Sequence, residues 1–242
     1  MTWLRSALFN LLFFAGTAAL AVACLPLLAG PRRWLRAMTH AWAGMVRALL
    51  AGICGIRLRV TGTEHLPPAG TPALIAAKHQ SAFDTIIWLA LVPDAAYVLK
   101  RELLAIPVYG WLARKAGMIA VDRQAGPSAM RHLLRAGREA AAAGRQIVIF
   151  PEGTRTAPGQ RVAYQPGIAA LAAATGLPVI PAATDSGLRW GRRAFRKQAG
   201  TITLAILPPL PAGLRREALM ERLETAIEAE TARLLAHGGR CG

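Results

Sequence analysis

From Ser6 to Pro31 no residue carries a charge, and that run limits what the chain can become. Its apolar heart, Ala7–Leu28, would reach ~33 Å as a helix, about the thickness of a bilayer core. The length of the uncharged run disfavours a helix buried in a water-soluble core. Pro26 and the Ala29-Gly30-Pro31 break bend the chain. A second apolar stretch follows from Met38 to Ile56, interrupted only by His40 and Arg47. Residues 1–56 therefore read as N-terminal membrane helices, either one transmembrane helix or a hairpin lying in one leaflet. Arg5 precedes the first run, and Arg32, Arg33 and Arg36 follow it. If the run spans, this asymmetry puts the rest of the chain on the cytoplasmic side. Ala21-Val22-Ala23 ahead of Cys24 has the form of a signal-peptidase or lipoprotein site, but the lone basic residue before it argues against cleavage.

The charge balance narrows the partners. Lys and Arg number 29 against 13 Asp and Glu, a net charge of +16. A field of this sign favours anionic lipids, phosphorylated substrates, acidic carrier proteins or nucleic acid. The membrane segment argues against nucleic acid, as does the lack of a nucleic-acid motif. Three cysteines, an odd number, show no CxxC or Cys/His cluster, so no metal site is expected.

Past Ile56 the chain alternates short β-rich runs with helical ones. Strands are expected at Arg57–Thr61, Ala73–Ala77, Tyr97–Leu99, Met118–Val121, Gln146–Phe150, Val179–Ala183 and Thr201–Leu207. Helices are expected at Thr85–Leu91, Leu103–Ala116, Ser128–Ala143, Gly167–Ala174 and Arg215–Ala236. Such alternation predicts an α/β domain over residues 57–242, with a mostly parallel central sheet flanked by helices. Leu219, Leu223, Ile227 and Leu234 share one face of the last helix, which should pack on the sheet.

Sites in open α/β sheets gather at the carboxyl ends of strands, and three blocks fall there. The first is Lys78-His79-Gln80-Ser81-Ala82-Phe83-Asp84. His79 is the natural base for a hydroxyl proton near neutral pH, and a carboxylate on its other nitrogen would fix the tautomer. On one continuous helix, five residues turn the side chains apart by about 140°. The pair therefore requires His79 in the loop and Asp84 in the first helical turn. Ser81 and Asp84 also fit a capping box, so catalysis and capping stand side by side.

The second block is Phe150-Pro151-Glu152-Gly153-Thr154-Arg155. Its tight turn would aim backbone N–H groups, the Thr154 hydroxyl and the Arg155 fork at one spot suited to phosphate. A structural Glu152–Arg155 ion pair is the alternative. The third runs from Lys100 to Arg123, where two cations after separate strands could converge on one anion or simply be solvated. A basic aromatic stretch, Arg189–Lys197, suits anionic headgroups or an acyl carrier, or forms a plain loop.

Together these blocks resemble the 1-acyl-sn-glycerol-3-phosphate acyltransferase family of the PlsC type, over roughly residues 55 to 210. Its HxxxxD motif matches His79 and Asp84, and its FPEGTR motif matches Phe150–Arg155 throughout. Its second block resembles Lys100-Arg101-Glu102-Leu103, Pro107, Gly110, Gly117 and Val121-Asp122-Arg123, and its fourth Leu177–Pro181. The resemblance implies that His79 takes the proton of the sn-2 hydroxyl of lysophosphatidic acid and that Asp84 orients it. Arg155, Arg123 and Lys100 would hold the lipid phosphate, while Glu152, Gly153 and Thr154 shape the pocket. It also implies acyl-CoA or acyl carrier protein (acyl-ACP) as co-substrate, no metal or other cofactor, and an inner (cytoplasmic) membrane location with the catalytic domain facing the cytoplasm. A lyso-ornithine lipid or another lysolipid as acceptor, or a noncatalytic role in binding anionic lipid, are the rival readings.

Overall fold

A computed structural model of the chain describes residues 1–122 and 124–238. Seven strands build its sheet: β1 (Ile56–Thr61), β2 (Ala73–Ala77), β3 (Ala95–Lys100), β4 (Ile119–Val121), β5 (Gln146–Ile149), β6 (Val179–Thr184) and β7 (Gly200–Ile206). Their spatial order is β1-β7-β6-β2-β5-β3-β4. Neighbours run parallel except β6 and β7, which are antiparallel. The expected architecture is thus the observed one.

Side-chain alternation along β2 explains the layering. Ala73, Ile75 and Ala77 face one side, where they share a cluster with Val46 and Leu50 from the N-terminal helices and with Phe83 and Ile87. Leu74 and Ala76 face the other side and meet Leu133, Ile168, Leu171, Leu223 and Ile227. Each fully buried Leu or Ile contributes about 1.5–3 kcal/mol. The helices are α1 (Thr2–Ala23), α2 (Arg32–Leu49), α3 (Ala82–Leu91), α4 (Tyr109–Lys115), α5 (Pro127–Ala142), α6 (Gly167–Thr175) and α7 (Arg216–Gly238). The expected face of α7 is buried at Leu219, Leu223, Ile227 and Leu234.

The single helix expected at Leu103–Ala116 is not observed. A 3-10 helix at Arg101–Ala105 ends before Pro107, and α4 begins only at Tyr109. Pro107 has no N–H to continue a helix, and its carbonyl accepts the Tyr109 N–H at 2.7 Å across Val108. Helix α3 begins at Ala82, earlier than the expected Thr85, because Ser81 caps it.

Helix α1 lies along the domain instead of projecting from it. Phe9 is fully buried in the cluster that also holds Ile75 and Ile202. Ser6 Oγ accepts the Lys197 N–H at 2.9 Å, Lys197 Nζ donates to Asn10 Oδ1 at 2.7 Å, and Trp3 stacks on Phe195 with centroids 5.4 Å apart. At the other end, the turn Leu25–Leu28 packs on α4. Trp42 of α2 donates to Thr17 Oγ1 at 3.0 Å and closes the hairpin. The opposite face of α1, with Leu4, Leu11 and Phe14, is exposed, and α1 is the one described helix long and apolar enough to cross a membrane.

Two expectations about basic residues change. Arg32 and Arg36 both engage Asp94, as does Arg145. Of the three arginines after the apolar run, two are therefore committed to docking α2 on the domain. In the Arg189–Lys197 stretch, Trp190 and Lys197 are buried and seat α1, so the segment is neither a plain solvated loop nor wholly a headgroup surface.

Candidate active site

Three strands deliver the site at one edge of the sheet. β2 ends at Ala77, and Lys78 still pairs with β6 through its N–H to the Ala182 carbonyl at 2.8 Å. The chain then leaves the sheet, and His79, Gln80 and Ser81 fill the gap before α3. All three are buried, with the His79 side chain retaining 11% exposure.

His79 Nδ1 lies 3.2 Å from Asp84 Oδ2. The loop-then-helix geometry demanded by the spacing is the one adopted. The same Asp84 oxygen accepts the N–H groups of Gln80 and Ser81, each at 2.7 Å, while Ser81 Oγ accepts the Phe83 N–H at 3.1 Å. Capping and histidine pairing are therefore not alternatives, because one carboxylate does both. A carboxylate on Nδ1 stabilises the tautomer whose proton sits there, leaving the Nε2 lone pair to accept a proton.

The strand end after β5 holds the ring from one side. The Phe150 ring stacks on the His79 ring with centroids 4.1 Å apart and planes 20° off parallel, and Tyr97 stacks behind it at 6.2 Å. The chain then turns sharply: Gly153 takes φ +69°, and its N–H bonds back to Phe150. A left-handed backbone there suits glycine.

That turn sends Glu152 inward, against the alternative of a structural Glu152–Arg155 ion pair. Glu152 Oε1 lies 2.7 Å from Lys78 Nζ, and Glu152 Oε2 accepts the His79 N–H at 2.7 Å. Its side chain is wholly enclosed, so Glu152 stands behind the loop that carries His79. Burial raises its carboxyl above the usual range, against the hydrogen bonds from Lys78, Thr156 and His79. Thr156 holds the other side of the same peptide: its N–H and hydroxyl reach the His79 carbonyl at 2.8 and 3.3 Å. The N–H and the C=O of residue 79 are thus both clamped by the turn after β5.

The remaining candidates separate. Arg155 is half-buried, its guanidinium lowered by burial while Asp84 opposes that shift and Arg192 adds to it. It therefore lies in the field of the His79–Asp84 pair. Thr154 is exposed and Gly153 half-buried in the same turn. Lys100 ends β3 on the surface, paired with Glu102 at 2.9 Å. Arg123 lies outside the described residues. Among those residues no group of three or more His, Cys, Asp or Glu side chains forms a metal-binding cluster.

Sequence reasoning missed the support behind the site. Lys78, 1% exposed, also meets Glu228 of α7 at 2.6 Å, and the Tyr164 hydroxyl donates to the same Glu228 oxygen at 2.9 Å. Burial, with Glu228 beside it, pushes the Tyr164 phenol far above its usual value. One signal was available for Glu228, since it directly follows the core residue Ile227 on α7.

Comparison with known proteins gives concordant results. The acyltransferase family model matches residues 57–185. A 1-acyl-sn-glycerol-3-phosphate acyltransferase of Pseudomonas aeruginosa is 36% identical over 214 residues, covering 86% of this chain and 81% of that protein. An enzyme of the same name from Limnanthes douglasii is 30% identical over 169 residues, 69% of this chain and 59% of its own. The crystal structure of the 1-acyl-sn-glycerophosphate acyltransferase PlsC from Thermotoga maritima shares the fold, with a TM-score of 0.81 at 22% identity and 98% coverage of both chains.

Proposed function

The chain belongs to the 1-acyl-sn-glycerol-3-phosphate acyltransferase family, and from that premise we propose that it moves a fatty acyl group from a thioester to the sn-2 hydroxyl of 1-acyl-sn-glycerol-3-phosphate, giving phosphatidic acid. The observation that carries this reading is the Asp84–His79 pair at the sheet edge, with Nδ1 engaged at 3.2 Å and Nε2 free to act as base.

In the reaction, Nε2 takes the proton of the sn-2 hydroxyl as its oxygen attacks the thioester carbonyl. The carbonyl oxygen carries the negative charge of the tetrahedral intermediate. Collapse breaks the C–S bond, and the thiolate leaves with the proton from the His79 imidazolium. The products are an ester and a free thiol, with His79 restored. Asp84 stabilises the transient imidazolium, and Phe150 keeps the ring from tilting. Arg155 holds the lipid phosphate with its planar fork. The chemistry as written needs no nucleophilic side chain and no co-substrate beyond the thioester of CoA or of an acyl carrier protein.

Both ends of α1 are tied to the domain, which supports a hairpin lying in one leaflet. The exposed face of α1 would sit among acyl chains, with the domain at the cytoplasmic surface of the inner membrane, where acyl thioesters are available. The test is a purified-protein assay with lysophosphatidic acid and each thioester donor in turn. Phosphatidic acid should form, and His79→Ala should reduce turnover roughly 10³-fold with lysophosphatidic acid binding retained. Turnover by the variant equal to that of the parent would remove His79 from the role of base.

A further inference from the structure

The corner that replaces the expected helix at Leu103–Ala116 displays an unusual surface. Leu103, Ile106, Tyr109 and Trp111 are 37%, 48%, 44% and 50% exposed. Val108 sits at φ +63°, ψ −57°, with the Tyr109 N–H bonded to the Pro107 carbonyl. This is a γ-turn of the positive-φ kind, strained for a β-branched residue. Gly110 follows so close to the Leu104 carbonyl that a Cβ there would lie 2.1 Å from its oxygen. The corner is therefore held tightly, and its apolar side chains stay on the surface. Strain of this kind persists where the surroundings over-determine a conformation with a use.

Three features identify what covers it. Tryptophan and tyrosine beside aliphatic residues make up the composition of a membrane–water boundary. Arg114 and Lys115 follow in the last turn of α4, and among the described residues neither has an acidic partner, whereas Lys100 and Arg101 are paired with Glu102 and Asp122. Unpaired cations next to an apolar patch match an anionic leaflet. Finally, α4 packs on the Leu25–Leu28 turn that follows α1, which sets the corner beside the hairpin.

We propose that the corner Leu103–Trp111 is a second membrane-contact element, seated in the headgroup–acyl boundary of an anionic leaflet alongside the hairpin. It extends the reading of α1 as embedded in one leaflet. The corner leaves β3 at the same sheet edge as His79, with only β5 between β2 and β3. Seating it turns that edge toward the lipid, where a lysolipid acceptor resides.

The test uses the full chain with its cysteines replaced by Ala and one new cysteine carrying an environment-sensitive fluorophore. The label goes at Leu11→Cys on exposed α1, at Ile106→Cys on the corner, or at Arg135→Cys on α5, whose native side chain is 72% exposed. Each protein is mixed with phosphatidylcholine vesicles, with or without phosphatidylglycerol, carrying brominated acyl chains. The expected result is quenching and a blue shift at 106, shallower than at 11, with neither at 135. Arg114→Glu with Lys115→Glu should weaken the quenching at 106 only when phosphatidylglycerol is present; unchanged quenching would remove the anionic-leaflet part of the proposal. If 106 behaves like 135 while 11 is quenched, the corner stays in water and the proposal fails although the hairpin reading stands. If 11 is also unquenched, the hairpin reading fails and this proposal with it. A shift at 106 that needs no vesicles and grows with protein concentration assigns the surface to a second copy of the chain and overturns the proposal.

Discussion

Lys78 and Glu228, 150 residues apart in the chain, meet at 2.6 Å in the interior. The same ammonium touches Glu152, whose second oxygen holds the His79 N–H. One cation thus ties α7 to the loop that carries His79. Removing it would leave two buried carboxylates facing each other. Lys78→Met should destabilise the protein by about 3–5 kcal/mol, read as a loss in urea or thermal unfolding in detergent. Glu228→Gln keeps a hydrogen-bonding side chain and leaves the Lys78–Glu152 pair in place, so it should cost about 1 kcal/mol. A cost as large as that of Lys78→Met would show that Glu228 is the main partner of the ammonium.

Capping and chemistry share Asp84 but not Ser81. Ser81→Ala removes the acceptor of the Phe83 N–H and should lower stability by about 1 kcal/mol, with kcat nearly unchanged. Asp84→Asn keeps one acceptor oxygen for the Gln80 and Ser81 N–H groups yet no longer stabilises an imidazolium. It should cut kcat roughly 10³-fold at little cost in melting temperature. Parallel losses of activity in both variants would mean that the cap alone positions His79.

Phe150 is expected to act through ring orientation. Phe150→Leu retains apolar bulk and loses the stack on His79, about 1 kcal/mol. Turnover should fall roughly tenfold as the imidazole gains freedom, with KM for lysophosphatidic acid little changed. A rise in KM at constant kcat would place Phe150 in substrate binding instead.

Burial raises the phenols of Tyr97 and Tyr164 above their ordinary value of 10.0. Between the ordinary and the raised values the folded state keeps protons that the unfolded state has lost. Stability from these groups is therefore fully present below pH 10 and declines as the pH climbs beyond it. Circular-dichroism melts from pH 8 to 11 should show falling midpoints above pH 10, and Tyr164→Phe should flatten the decline. A midpoint that holds steady through pH 11 would contradict the burial of these hydroxyls.

The parts of the site legible in the sequence are contiguous blocks at strand ends. Lys78–Asp84 and Phe150–Arg155 each carry their own turn chemistry, so their placement followed from local rules. The direction of Glu152 did not, because it depends on a left-handed glycine and on a lysine from another strand. The pairing of Glu228 with Lys78 was illegible for a related reason: a partner 150 residues away leaves no trace in local pattern. The partner of Arg32 and Arg36 was likewise beyond local rules, because Asp94 lies past two strands in sequence. Pro107 lacks the N–H that a continuous helix over Leu103–Ala116 needs, and the chain turns there before α4 begins.

Among the described residues strand β1 has β7 as its sole neighbour in the sheet, in a register that joins Ile56 to Gly200. During synthesis, the hairpin and the first strand leave the ribosome well before the strand that completes them. Loop closure over that distance makes the final pairing slow. Through that interval Phe9 and Leu50 lack their partners, and the nascent chain offers a lipid surface an apolar hairpin before it owns a finished sheet. The hairpin is therefore available for docking before the sheet that holds Phe9 and Leu50 is complete.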